Sequence, residues 1–305
     1  MKAVVLHAYG PATNLAVEEI PAPTPSAGQV LIAVHAAGVN PIDWKVRSGA
    51  MHAMFDVPFP WVPGYDIAGV VESVGEAVTT FRAGDRFFGR GNGAYAEQAV
   101  APATDIALIP EGIDFNTAAA LPVVATTADQ LVREACAAKP GQTILLTGAL
   151  GSVGRLALYR AVQMGVHVIA AVRARQLDEA LALGAQQAVD ASDPAALAAI
   201  GKVDAVADTI GGPLSATLLP LVKDGGNYAS IVGPPQNAAS FPGIHVHAFG
   251  SHPDAEPLVF FANAIRDGKL KLPVALVLPL AQAAEAHAKG EQGGAGKIVL
   301  SVTPA

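Results

Sequence analysis

A chain of 305 residues with 51% hydrophobic side chains holds enough apolar material for one large core or two ordinary ones. Nineteen lysines and arginines against 26 aspartates and glutamates leave a net charge of -7, which repels a phosphate backbone and argues against a nucleic-acid partner. Cys136 is the single cysteine, so there is no intrachain disulfide and no multi-cysteine zinc site; with no cleavable leader pattern and no apolar run of bilayer length, the expectation is a cytoplasmic protein with no membrane partner.

From Met1 to about Pro110 the chain reads as short β-branched runs (KAVVL, QVLIAVHAAGV, IAGVVESVG, YAEQAVAP) broken by Pro and Gly, the pattern of a strand-and-loop domain. The lone thiol follows in LVREACAAK, a helical pattern in which it packs as a small hydrophobe. From Thr143 the rhythm changes. TILLT, VHVIAAV, QAVD, VDAVADT, NYASIV and IHVHAF are short apolar segments, most of them separated by helix-length stretches, which predicts βαβ units and a parallel sheet covered by helices on both faces. After about Glu256 come a helical pattern, PLVFFANAIRDGKL, then ALVLPLAQAAEAHAKG and a last strand, GKIVLSV. That strand has no evident place in the parallel sheet and is expected to return to the first domain.

Gly148, Gly151 and Gly154 follow a predicted strand and open a predicted helix over Ser152 to Met164. Glycines in that order let the backbone approach a pyrophosphate, and the helix start supplies free N–H groups and the positive end of a dipole. A second predicted strand, Val166 to Val172, completes the unit and makes a dinucleotide site the expected reading. The similar stretch PGYDIAGVVESVG lacks a following helix, so Gly64, Gly69 and Gly75 are read as turn and packing glycines. At the end of the second strand, where an NAD site carries a carboxylate for the ribose 2′-OH, this chain has Arg173 and Arg175 and no acid before Asp178. Two guanidiniums suit a 2′-phosphate, so NADPH is the expected cofactor.

Taken in order, AAGVNPIDWKVRSG, PGYDIAGVVESVG, AGDRFFG, GAYAEQAV, KPGQTILLTGALGSVG, DTIGG and GKIVLSV resemble the medium-chain dehydrogenase/reductase superfamily in its zinc-free, quinone oxidoreductase-like branch. The resemblance implies an α/β fold: a Rossmann doubly wound parallel sheet over residues 121–261, plus a GroES-like, mainly-β catalytic domain formed by both chain ends, 1–120 and 262–305, with NADPH in the cleft between them. It places Asn40 and Thr127 beside the nicotinamide, with Ile231, Val232, Gly233 and Lys297 bordering that half of the cofactor. Gly148, Gly151, Ser152, Val153 and Gly154 would hold the pyrophosphate. Zinc-dependent relatives carry a cysteine where this chain has Asn40 and a His-Glu pair where it has Tyr65 and Asp66, so no metal is expected. His245, His247, His252 and Asp254 are the other cluster with ligand chemistry, on a segment read as a strand near a subunit contact.

Without a Lewis acid the hydride acceptor must already be activated. A quinone qualifies, and so does an α,β-unsaturated aldehyde or ketone, because the incoming charge spreads onto oxygen. The expected activity is therefore zinc-independent hydride transfer from NADPH to a quinone, with enone or alkenal reduction and a non-catalytic NADPH-binding redox sensor as the alternatives. The catalytic candidates are Asn40, Lys45 and Tyr65, with Trp44 as a further donor; Asp129, where relatives often have an aromatic, is expected to alter the substrate pocket. A short-chain dehydrogenase is set aside because no tyrosine has a lysine four residues on. The apolar, alternating IHVHAF would leave an exposed sheet edge, which points to a homodimer.

Overall fold

The computed structural model describes residues 1–294 and 296–302. It divides into two compact units, one of Met1–Val123 with the chain from Pro253 on, the other of Val124–His252. The first crossing falls inside a helix. The second lies ahead of the expected 262, because the helix that follows it packs beside a strand of the first unit.

In chain order the first unit contributes β1 (Lys2–Val5), β2 (Ala16–Glu19), β3 (Gln29–Val39), α1 (Pro41–Arg47), β4 (Asp66–Val74), β5 (Arg86–Arg90), β6 (Gln98–Pro102), β7 (Ile106–Leu108) and α2 (Phe115–Ala119). Next, α3 (Pro122–Gln130) continues into a π-helical turn, Leu131–Ala135, where the sequence predicts an ordinary helix. The second unit holds β8 (Thr143–Thr147), α4 (Ser152–Gln163), β9 (His167–Val172), α5 (Leu177–Ala182), β10 (Gln187–Asp190), α6 (Pro194–Ala198), β11 (Val203–Asp208), α7 (Pro213–Leu218), β12 (Val222–Ser230) and β13 (His245–Ala248). The chain then returns through α8 (Glu256–Arg266), β14 (Val274–Pro279), α9 (Ala283–Glu291) and β15 (Lys297–Ser301). No helix among the described residues is long and apolar enough to cross a membrane.

The first unit is built on a seven-stranded sheet in the order β14-β15-β3-β4-β5-β7, with β6 also paired to β3 and a separate β1-β2 ribbon. Along β3 the side chains alternate between core and surface up to His35, and Ala36 to Val39 are all buried. Its first half pairs with β6 and its second half with β15, so GKIVLSV does return to the first domain. That register decides what meets at the end of β3. Ile298 stands opposite Val39, which puts Lys297 beside Asn40, and Gly38 stands opposite Asp66. Only glycine fits at 38, since a Cβ there would lie 2.8 Å from the Asp66 Cβ and 2.3 Å from the Ala119 carbonyl oxygen.

The second unit has six strands in the order β10-β9-β8-β11-β12-β13, every neighbouring pair parallel. This is the doubly wound order of a Rossmann sheet. Leu145, Ile169, Val206, Leu218 and Tyr228 are among its buried core residues. Because the strands run one way, the ends of β8, β9, β11 and β12 share one edge of the sheet, where Asp208 gathers the loops. Its Oδ1 accepts from Thr147 Oγ1 at 2.8 Å and from the Ile210 and Gly211 N–H groups at 3.0 Å; its Oδ2 accepts from Ser215 Oγ at 2.7 Å and the Tyr228 hydroxyl at 2.8 Å. Burial pushes this carboxyl upward, but the bonds from Ser215, Gly211, Tyr228 and Ile210 together outweigh it and hold Asp208 below the usual carboxylate range.

A carboxyl depressed on folding adds stability above its unfolded pKa and loses it as pH falls through the lower folded value. Asp208→Asn is therefore expected to cost about 2–3 kcal/mol at pH 7 in urea unfolding. The gap to the wild type should narrow below about pH 4.

Candidate functional site

Each unit carries its own constellation. In the second, the β8–α4 turn is the tightest piece of backbone: Gly148 adopts φ +60°, Gly151 N–H donates to the Gly148 carbonyl at 2.8 Å, and a Cβ at Gly154 would lie 2.0 Å from that same oxygen. Gly151 is the N-cap of α4 and makes no side-chain cap. Helix geometry then leaves the N–H groups of Ser152, Val153 and Gly154 without intrahelical acceptors at the positive end of a 12-residue helix. A cradle closed to side chains and edged with free donors fits the pyrophosphate of a dinucleotide.

The neighbouring strand ends add to it. At the end of β9, Arg173 and Arg175 are exposed and make no ion pair among the described residues, whereas Arg155 on α4 is committed to the Leu150 carbonyl at 3.0 Å and to Glu179. Beyond β12, Ile231 N–H donates to the Asp208 carbonyl at 3.2 Å, Val232 is exposed and Gly233 adopts φ +118°. Thr147 and Thr209 cross-link the β8 and β11 ends, since Thr209 N–H donates to Thr147 Oγ1 and Thr209 Oγ1 to the Thr147 carbonyl, both at 2.8 Å. Gly148, Gly151, Ser152, Val153, Gly154, Arg173, Arg175 and Ile231–Gly233 thus lie along one edge of one sheet. Thr127 sits apart on α3, 92% buried, with its hydroxyl 3.0 Å from Ser251 Oγ. Asp129 is wholly buried, 3.1 Å from Arg133 and 2.5 Å from Arg160.

In the first unit, the β3–β4–β15 register closes a buried cluster. Asn40 Nδ2 donates to Asp66 Oδ2 at 2.7 Å. Lys297 Nζ donates to Asn40 Oδ1 at 2.7 Å, to Asp66 Oδ2 at 3.2 Å and to the Val39 carbonyl at 3.4 Å. These three bonds use all the ammonium hydrogens, so Lys297 reaches other groups only through Asn40. The other oxygen of Asp66 accepts the Val123 N–H in the first turn of α3 at 2.8 Å. Asn40, Asp66 and Lys297 are each at most 4% exposed.

Asn40 also caps α1, and its own N–H donates to Asp43 Oδ2 at 2.8 Å. Asp43 Oδ2 further accepts from the Tyr95 hydroxyl at 3.0 Å, while Oδ1 is buried with no hydrogen-bond partner among the described residues. Burial, with the charge of Asp66 adding to it, pushes the Asp43 carboxyl up to about 7 against the bonds from Asn40 and Tyr95 and the charge of Lys297. Tyr65, half-buried, is pushed up to about 12 by burial and then by the charge of Asp43, and therefore keeps its proton across the neutral range. Lys45, half-buried on α1, has no side-chain partner among the described residues. Trp44 instead packs on α9, where a Cβ at Gly290 would come within 2.7 Å of its ring.

The sequence reads Asp43 only as an insufficient metal ligand beside Asp66, and it does not single out Tyr95 or His287 at all. The Asn-x-x-Asp spacing at 40–43 is a capping-box signal that could have shown Asp43; no local pattern connects Tyr95 to His287. Among the described residues no group of three His, Cys, Asp or Glu is placed to hold a metal ion. His247 is 3.2 Å from Asn227 Oδ1, and His252 faces Gln130 and Glu134. Around Asn40, the Asn40 and Asp66 side chains are both joined to the Lys297 ammonium group.

Two family models match the chain: the alcohol dehydrogenase GroES-like domain over residues 26–111 and the zinc-binding dehydrogenase domain over residues 183–300. The chain is 32% identical to the chloroplast envelope quinone oxidoreductase homolog of Arabidopsis thaliana, over 98% of each sequence. It is 36% identical to the NADPH-dependent alkenal/one oxidoreductase of the same plant, over 76% of this chain and 63% of that one. Among solved structures, the quinone oxidoreductase from Coxiella burnetii superposes with a TM-score of 0.87 at 30% identity, covering 99% of both chains. The glycine cradle on its parallel sheet, the GroES-like sheet built from both chain ends and this full-length similarity make the chain a member of the medium-chain dehydrogenase/reductase superfamily, among its quinone oxidoreductase-like oxidoreductases.

Proposed function

We propose that this protein is a zinc-independent oxidoreductase that uses NADPH to reduce a quinone. The observation that carries the reading is the β8–α4 cradle with two unpaired arginines at the next strand end and no carboxylate in their place. The amides of Ser152, Val153 and Gly154 would hold the pyrophosphate, and Arg173 with Arg175 the 2′-phosphate. Bound there, NADPH supplies the hydride and its two electrons.

The chain's own residues do the rest. Lys297, locked by Asp66, holds the Asn40 amide in one orientation while one N–H hydrogen and one lone pair of that amide remain for a ligand. The positive charge near Asn40 is a fixed ammonium, which supports the zinc-free reading and calls for an acceptor that is activated before it binds. Lys45 on α1 and Tyr65, which keeps its proton at neutral pH, are the groups to donate toward the oxygen where charge develops. The similarity to an alkenal/one oxidoreductase supports a second acceptor class, α,β-unsaturated aldehydes and ketones, which takes up charge on oxygen in the same way. At the sheet edge, exposed β13 is the strand we assign to pairing with a second copy, giving a homodimer; sedimentation at micromolar concentration showing monomer alone would count against it. The buried Cys136, pushed up to about 12 by burial and the single cysteine of the chain, suits a reducing cytoplasm.

The test follows NADPH and NADH oxidation with a panel of quinones, enones and alkenals. Turnover with NADPH and a quinone is expected, and its absence with every acceptor would reject the enzymatic reading. Arg173→Ala should weaken NADPH binding about tenfold and leave NADH binding unchanged; equal losses for both would reject the 2′-phosphate assignment. Lys45→Ala should lower kcat by roughly 10²-fold if its ammonium serves the developing oxyanion, and an unchanged kcat would remove Lys45 from that role.

A further inference from the structure

Behind Asn40, in the first unit, three buried side chains are joined through one hydroxyl. The Tyr95 hydroxyl is 3.0 Å from Asp43 Oδ2 and 3.2 Å from His287 Nε2. All three residues are fully buried, and His287 Nδ1, like Asp43 Oδ1, has no hydrogen-bond partner among the described residues. We propose that Asp43, Tyr95 and His287 form one buried proton chain, a positioning unit behind Asn40, in which a proton taken up at His287 Nδ1 is handed to Asp43 through Tyr95.

The hydrogens balance. With Asp43 ionised, Tyr95 donates to Asp43 Oδ2, His287 donates from Nε2 to the Tyr95 oxygen, and Nδ1 is bare. One proton arriving at Nδ1 lets the Nε2 hydrogen move to Tyr95 and the Tyr95 hydrogen move to Asp43. The result is a neutral carboxyl donating to Tyr95, a tyrosine donating to Nε2, and a histidine of the opposite tautomer. One proton has entered, and no bond other than O–H and N–H has changed.

The surrounding charges decide where that proton can rest. On α9, burial and then the Arg47 guanidinium hold His287 down at about 3, so the ring passes a proton and does not keep it as imidazolium. Arg47 comes from α1 and is itself paired with Glu291 of α9. Around Asp43, burial and Asp66 of β4 favour the neutral carboxyl; the Asn40 N–H, the Tyr95 hydroxyl and Lys297 of β15 favour the charged one. Tyr65, preceding β4, is made a weaker acid by the Asp43 charge, and Arg90 of β5 opposes that effect. Neutralising Asp43 therefore makes Tyr65 the better proton donor and relaxes the hold on the Asn40 backbone. This consequence rests on the site reading of Asn40 and Tyr65 given above.

The experiment is NMR of the full-length, cofactor-free protein, following Asp 13Cγ and the ring nitrogens of the eight histidines between about pH 5 and pH 9, with His287 assigned by His287→Gln. The expected result is one aspartate titrating near pH 7 and, at the same midpoint, one histidine exchanging Nε2–H for Nδ1–H without becoming imidazolium. In Tyr95→Phe the carboxyl should still titrate while the histidine tautomer no longer follows it. A wild-type His287 that keeps one tautomer while Asp43 titrates, or an Asp43 that stays ionised throughout, overturns the proposal even if the variant fails to fold. The tautomer exchange without any NADPH oxidation would sink the enzymatic reading alone, and turnover with a fixed tautomer would sink the proton chain alone.

Discussion

The first unit depends on satisfying one buried carboxylate. Asp66 has no solvent, so its charge must be met by protein, and its partners come from Asn40 at the start of α1, Lys297 at the start of β15 and Val123 in the first turn of α3. Removing one partner of such a buried pair typically costs on the order of 3–5 kcal/mol, because the remaining charge is stranded. The requirement explains why the last strand must come back to β3 in one register: a slip by a single residue would turn Lys297 to the other face of the sheet. It also explains Gly38, where any side chain would collide with Asp66.

Asp208 solves the same problem in the second unit with neutral donors. Five of them, two backbone N–H groups and three hydroxyls, converge on its two oxygens from the ends and loops of β8, β11, β12 and α7. The loops that bear the cradle, the arginines and the Ile231–Gly233 turn leave the same edge of the sheet. Ligands of doubly wound sheets bind outside the carboxyl ends of the strands, and Asp208 is the group that makes that end rigid here.

Much of this was legible in the residues because it is local. The glycine loop, α4 and β9 follow from strand, turn and helix signals within thirty residues of chain, and the missing acid at Arg173 is read at a single position. The closing cluster was partly legible: Asn40 and Lys297 were named through the family resemblance, but their bond to each other rests on a pairing between strands more than 250 residues apart. Nor does any spacing rule connect Asp129 to Arg160 on α4, 2.5 Å away. The expected second boundary, 262, lies inside α8, whose packing beside β7 goes with the division ahead of it at Pro253. Tyr95 and His287 carried no signal, because a tyrosine in a strand-like run and a histidine in a helix are ordinary core residues until they meet.

The proposed mechanism relies on a fixed ammonium, with Lys45 on α1 and Tyr65 just ahead of β4 as donors, where other dehydrogenases use zinc. The most direct measurement is the rate of NADPH oxidation by a quinone before and after exhaustive chelation, with bound metal quantified in both samples. An unchanged rate in metal-free protein is the predicted result. Loss of the rate on chelation and its return with stoichiometric zinc would instead make this a metal-dependent enzyme.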